Sequence, residues 1–315
     1  MGVRAKTVWV GAFAALVVVA FSACGKIATL QARSAFKAGN TFYQQQDYRK
    51  AADSYEKVVK NDPGLTAAYF FLGNSYDNLY KVHVKGEPAN DELMTKAIAN
   101  YKLAAEKEPD PNLKKLALQY LVAAYGPEKL DDPSQAEPVV RKMIEMDPKE
   151  PSNYFVLSKI YEDAGSYDEA EALLLKAKES RPNDSSVYMQ LAGYYNRQTE
   201  YEKMFAALEQ RAAIEPNNPE AHYTLASFYW DMAYRDFRLK EEEKKNYISK
   251  GLSEVDRALE IKPDYVEALT YRGLLLRLEA NMEKNADRQK ALMKEAEELQ
   301  GRAKELQRKK TEGVS

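Results

Sequence analysis

The chain has 315 residues with 46 basic and 48 acidic side chains, a near balance that lacks the clustered Lys and Arg rewarded by nucleic-acid phosphates. A single cysteine excludes an intramolecular disulfide and a cysteine-based metal site, and two histidines leave little for imidazole chemistry. Fourteen glycines, 30% charged residues and no alternating β-branched runs with hairpin dipeptides after the leader point to an all-α chain.

The first element is the leader. Arg4 and Lys6 precede an apolar run over residues 8–21, then Ser22, Ala23 and Cys24. Basic flank, apolar stretch and small residues predict an export signal over 1–23. Phe21-Ser22-Ala23-Cys24 resembles the bacterial lipoprotein signal, and the resemblance implies that Cys24 becomes the lipidated first residue of the mature protein. The other reading is an uncleaved anchor helix over 7–24, about the shortest length that spans a bilayer, which would fix the chain to the inner membrane. Both put the remainder of the chain outside the cytoplasm, because the basic flank stays inside. Losing Arg4 and Lys6 leaves 44 basic against 48 acidic side chains, and 24–31 is a short tether.

From residue 32 the pattern repeats. Pro63, Pro109, Pro148, Pro182, Pro216 and Pro263 each close a unit, and two of the gaps are 34 residues, the period of a stacked helix-turn-helix pair. In the clearest copy Tyr154, Leu157, Ser158 and Tyr161 line one face of a first helix, and Ala170, Leu174 and Ala177 one face of a second. Ser166 and Glu169 have capping-box spacing at the entrance to that second helix. Small residues at Ser158 and Ala170 let the two helices approach, and Pro182 stops the second. Other copies keep the pattern: Gly39 with Ala51 and Tyr55; Gly73 and Tyr76 with Ala97 and Tyr101; Leu118 with Ala136; Tyr188 and Ala192 with Leu208; His222 and Ala226 with Ala258. A seventh copy, over about 266–280, has Leu269, Gly273 and Leu276 but no clean second half.

These residues resemble the tetratricopeptide repeat family over about 32–280. The resemblance implies a right-handed superhelical solenoid of six to seven helix-turn-helix repeats, over about 32–65, 66–111, 115–150, 151–184, 185–218, 219–265 and 266–280. Two insertions interrupt it, both between the first and second helices of a unit, near 77–94 and 232–248. The first contains Gly86 and Pro88 and predicts a loop. The second, without Gly or Pro, predicts extended helix, and repeat insertions map to one edge of a solenoid. Over 281–315, Leu292, Ala296, Leu299, Ala303 and Leu306 form a narrow apolar stripe, read as a C-terminal capping helix with a frayed tail, or as a coiled-coil contact with a partner.

Catalysis finds no foothold in this pattern. No Gly-rich phosphate loop, nucleophile elbow or zinc-protease signature is present. His222 occupies a large core position, and His83 has no ligand spacing around it, so neither a metal nor a cofactor is expected. In the resembled family, first-helix positions line the concave side. Carried onto this chain, the fifth position gives Phe36, Phe70, Gln119, Phe155, Met189, Tyr223 and Thr270, and the ninth includes Asn40, Asn74 and Lys159. An apolar ladder beside a polar row suits an extended or helical peptide, although the same side chains could merely pack against the next repeat. The family's carboxylate clamp needs Lys where Phe36 stands, so that role is disfavoured. The resemblance to envelope lipoproteins implies a membrane-anchored scaffold for other proteins in envelope assembly, facing the periplasm, and, with Gly25 after Cys24, an outer-membrane location. Alternatives are an adaptor for peptidoglycan or polysaccharide enzymes, and an enzyme with a site in the groove.

Overall fold

In the computed structural model, residues 27–313 are described; Cys24 and the rest of the leader lie outside them. Every regular element among the described residues is helical. The first helix, α1, covers 27–44. It is followed by α2 (Tyr48–Asn61), α3 (Ala67–Leu79), α4 (Pro88–Lys107), α5 (Pro111–Tyr125), α6 (Pro133–Met146) and α7 (Pro151–Asp163). The remainder are α8 (Tyr167–Ser180), α9 (Ser185–Arg197), α10 (Tyr201–Ile214), α11 (Pro219–Arg235), α12 (Glu241–Ile261), α13 (Val266–Met282) and α14 (Ala286–Glu312). The chain divides into two units, Met1–Pro148 and Lys149–Ser315.

The proline punctuation has a uniform cause. The second helices α2, α4, α6, α8, α10 and α12 end at C-caps Asp62, Glu108, Asp147, Arg181, Glu215 and Lys262, each one residue before a proline. A proline there has no N–H to extend the helix and disfavours helical geometry in the residue before it. Other prolines open helices. Pro88, Pro111, Pro133, Pro151 and Pro219 stand in first turns, where the missing N–H would find no intrahelical partner anyway. Asp110, Asp132, Glu150 and Asn218 precede four of them and accept from free backbone N–H groups.

Within a pair, the expected small residues sit at the crossing. Ser158 and Ala170 are buried, and the Ser158 hydroxyl donates to the Ala170 carbonyl at 2.9 Å. A Cβ on Gly73 would stand 2.9 Å from the Tyr101 ring and 3.0 Å from the Ala97 carbonyl, so any side chain there forces α3 and α4 apart.

Successive pairs are joined by a recurring clasp. The Tyr195 hydroxyl of α9 donates to Glu171 of α8 at 2.8 Å, while Lys203 of α10 lies over the Tyr195 ring and pairs with Glu171 at 3.0 Å. Tyr229 of α11 repeats this with Glu209 of α10, at 2.6 Å, and Lys250 of α12. In the first unit, Tyr76 of α3 donates to Glu56 of α2 under Lys96 of α4. Burial first, and the neighbouring carboxylate second, raise all three phenols above their ordinary 10.0.

Two local expectations need correction. Ser166 is the N-cap of α8 but its side chain makes no capping bond. Its backbone N–H already donates to the Tyr161 carbonyl at 2.9 Å, closing the end of α7 through Gly165 at φ 77°, so the donor that Glu169 would accept from is occupied. The second insertion is not one continuous helix. It breaks after Arg235, where Asp236 accepts from the backbone and guanidinium of Arg238, and α12 restarts behind a bond from the Lys240 N–H to Glu243. The expected C-terminal capping helix is present as α14, which follows α13 and packs on it. The stripe of α14 packs on α13 with Ala296 and Ala303 buried, Arg272 of α13 pairs with Glu295, and Arg302 donates to the Pro263 carbonyl. Of the first insertion, residues 80–87 form the expected loop, with one short turn at Val82–Val84, and the remainder belongs to the end of α3 and the start of α4 at Pro88.

Candidate functional site

In the first unit the expected ladder turns inward. Phe70 is 4% exposed and touches the rings of Phe71, Tyr101 and Tyr120 at 5.3–6.0 Å between centroids. Phe36 is half-buried against Tyr55 and Phe71, and Asn40 accepts from the Tyr55 hydroxyl at 2.7 Å. Asn74, 2% exposed, spends its amide inside the fold. Its Oδ1 accepts from the Tyr43 hydroxyl at 2.5 Å and from Asn78 at 2.8 Å, and its Nδ2 donates to Tyr101 Oη at 3.3 Å. The Tyr101 hydroxyl donates in turn to Asp77, whose second oxygen accepts from Lys129 at 2.5 Å. This chain of bonds brings Tyr43, Asn74, Asp77, Tyr101 and Lys129 into one satisfied buried network, the condition under which buried polar groups stabilise a fold. Burial, then the Asp77 charge, raises the Tyr101 phenol. Phe70 and Asn74 are therefore beyond the reach of a partner segment.

The second unit leaves its first-helix side chains available. Phe155 is half-buried, Lys159 is exposed, Met189 is 36% exposed, and Tyr223 is half-buried against Tyr265 and Tyr271 at 5.4 Å. Burial first, then Tyr271 and Tyr265, push the Tyr223 phenol up to about 12. Lys159 pairs with Asp163 at 2.6 Å. Met189 accepts a long contact from Arg211 at 3.6 Å. Beside this row Glu162, nearly buried, is held by Arg197 through two bonds of 2.6 and 2.9 Å. Hydrogen bonds from Arg197 hold the Glu162 carboxyl below the usual carboxylate value, against the opposing effect of burial.

Sequence reasoning missed Asp77 and Glu162, although a signal existed. Each lies eight residues after the first large tyrosine of its copy, Tyr69 or Tyr154, and acids at matching offsets of two repeats point to a shared pairing role. It also missed the aromatic run beyond Tyr223, where Trp230 stacks on Tyr234 at 5.0 Å and meets Tyr271 edge-on.

His222 is buried, with Nδ1 2.7 Å from Glu254 and Nε2 3.2 Å from the Pro216 carbonyl. His83 is exposed in its short turn. Among the described residues, no group of three His, Cys, Asp or Glu side chains could hold a metal ion. Among the same residues, no helix is long and apolar enough to cross a membrane.

Family models described as tetratricopeptide repeat match residues 36–79 and 129–192. Among solved structures, the C-terminal part of a TPR repeat-containing protein from Cytophaga hutchinsonii is similar over 86% of this chain and 98% of its own, at 16% identity and a TM-score of 0.57. A tetratricopeptide repeat protein from Parabacteroides merdae matches 85% of this chain and 99% of its own, at 12% identity and a TM-score of 0.46. YrrB, described as a TPR protein with an unusual peptide-binding site, matches 59% of this chain and 87% of its own, at 18% identity and a TM-score of 0.40. No curated protein matches the chain.

Proposed function

We propose that the chain, which matches tetratricopeptide repeat models over residues 36–79 and 129–192, is a scaffold that binds other proteins, lipidated at Cys24 and working in envelope assembly on the periplasmic side of a bacterial outer membrane. The observation that carries the binding reading is the contrast along the first helices. Phe70 and Asn74 are consumed by their own repeats, whereas Phe155, Lys159, Met189 and Tyr223 keep accessible surface beside a charged row. A partly exposed apolar side chain next to polar groups gives a peptide both a pocket and partners for its backbone. The lipid reading rests on the leader alone, where Cys24 follows Ser22 and Ala23 behind an apolar run. Two or more acyl chains would hold the protein stably to a bilayer. Such a molecule positions partners and performs no chemistry of its own.

The anchor and the scaffold are tested separately. Intact mass of the mature protein should show a chain beginning at Cys24 with added acyl mass, and Cys24→Ser should leave unmodified precursor. A mature chain that begins elsewhere without acyl mass refutes the anchor. Cross-linking in whole cells, followed by mass spectrometry, should join partner proteins to residues near Phe155, Met189 and Tyr223. Cross-links confined to other surfaces refute the binding face.

A further inference from the structure

The second insertion has a structural product that the scaffold reading does not use. It lengthens α12 at its start, and the added turns carry Lys245, Ile248 and Ser249. With Leu252 they form one wall of a cavity of about 440 Å³, closed by Glu279, Met282, Glu283 and Lys284 at the end of α13 and by Arg288 near the start of α14. That volume lies in the range of about 300–1,000 Å³ that holds one small organic group. The floor is apolar. Ile248 is 3% exposed, and Leu252 and Met282 pack beside it with Trp230 and Tyr247.

The rim decides what charge the cavity tolerates. Glu279 and Glu283 are both committed to Arg288, at 3.0 and 3.1 Å, and Lys245 to Glu241 at 2.6 Å. Lys284 is exposed and forms no ion pair with any described residue. The charged lining residues, Lys245, Lys284 and Arg288 against Glu279 and Glu283, sum to one positive charge above an apolar floor; Lys284 is the cation outside any ion pair among the described residues, and the Ser249 hydroxyl is a further polar group. We propose that this cavity is a binding site for an amphipathic carboxylate, an apolar body seated on Ile248, Leu252 and Met282 with its anionic group at Lys284. A free organic acid and the last residue of a peptide with an apolar side chain share this chemistry.

Titration calorimetry on the purified full chain distinguishes the sources with two probes: 4-phenylbutyrate, and a short glycine-serine peptide ending in leucine with a free carboxylate. Each has a neutral control, the corresponding amide. At least one carboxylate should bind, with its amide at least tenfold weaker, and the tighter of the two identifies the source. Lys284→Glu should weaken that binding at least tenfold. Ser249→Trp, at an exposed position that fills the cavity mouth, should abolish it while leaving the melting temperature unchanged. No binding by either probe at millimolar concentration overturns the proposal, as does an affinity that Ser249→Trp leaves intact or an amide that binds as well as its acid. Because the cavity is lined from α12, α13 and the start of α14, whereas Phe155 and Met189 stand on α7 and α9, loss of this site and loss of the scaffold reading are separable results.

Discussion

Asp77 and Glu162 show how one position can serve two kinds of surroundings. Asp77 is sealed into a network with Tyr101 and Lys129, whereas Glu162 meets the half-exposed guanidinium of Arg197. Asp77→Ala strands the Lys129 ammonium and the Tyr101 hydroxyl, and breaking such a pair costs about 3 kcal/mol. Chemical denaturation should show a loss of that order; a change under ~1 kcal/mol would mean that the network relaxes freely. Glu162→Gln should cost less, about 1 kcal/mol, because Arg197 keeps water as an alternative partner. Its pH dependence has a definite sign. The folded pKa of Glu162 is depressed below its ordinary 4.5, so its stabilisation is present above that value and lost as pH falls through the folded value. The stability gap between wild type and Glu162→Gln should therefore close as the pH is lowered below 4.5, and a gap independent of pH refutes the assignment. At the helix crossing, Gly73→Leu drives a side chain into Tyr101 and Ala97 and should cost about 1–3 kcal/mol.

At the scale of the element, the turns between paired helices repay attention. Gln46, Gly165 and Thr199 all take positive φ, at 59°, 77° and 61°, one residue before a backbone bond that closes the preceding helix. Only one of the three is glycine. A β-branched residue in that conformation is strained, so Thr199→Gly should raise stability by roughly 0.5–1 kcal/mol, after allowing for the greater freedom of glycine in the unfolded chain. An unchanged or lower urea midpoint would show that the Thr199 side chain compensates. These turns also explain what the sequence obscured. Ser166 and Glu169 have capping spacing, but the preceding helix had already taken the donor they would share. In the second insertion, freedom from Gly and Pro suggested continuity, yet Asp236 captured Arg238 locally and ended α11. Helix propensity sets no boundary when a short polar side chain can fold back on its own backbone.

For the molecule as a whole, the repeating helix pairs were legible because Pro63, Pro182 and their counterparts act locally, as did Gly73 and Ser158 at the crossings. The candidate binding face was legible only in part. Position alone marked Phe70 and Phe155 alike, and their different burial depends on neighbours distant in sequence, such as Tyr120 beside Phe70. That difference makes a test. Phe70→Ala should cost about 3 kcal/mol of stability, as core aromatic truncations do. Met189→Ala and Phe155→Ala should weaken partner capture by about 1 kcal/mol each while helical melting stays close to wild type. If the folded double variant recovers the same partners, the first-helix face of the second unit is not where they dock.

The clasp tyrosines carry a further consequence, for the behaviour of the protein in base. Tyr76, Tyr195 and Tyr229 each donate to a carboxylate, and an ionised phenol cannot donate. Their folded pKa values are raised above 10.0, so the stabilisation they give is intact below that pH and drains away as pH rises through the folded values. Each clasp ties a helix pair to the one before it, so ionising it withdraws a neighbour contact on which a repeat array depends. In a spectrophotometric alkaline titration these phenols should ionise late and together with the loss of helical signal, and Tyr→Phe at all three should shrink that late phase, leaving the part that Tyr101, Tyr223 and the other buried phenols supply.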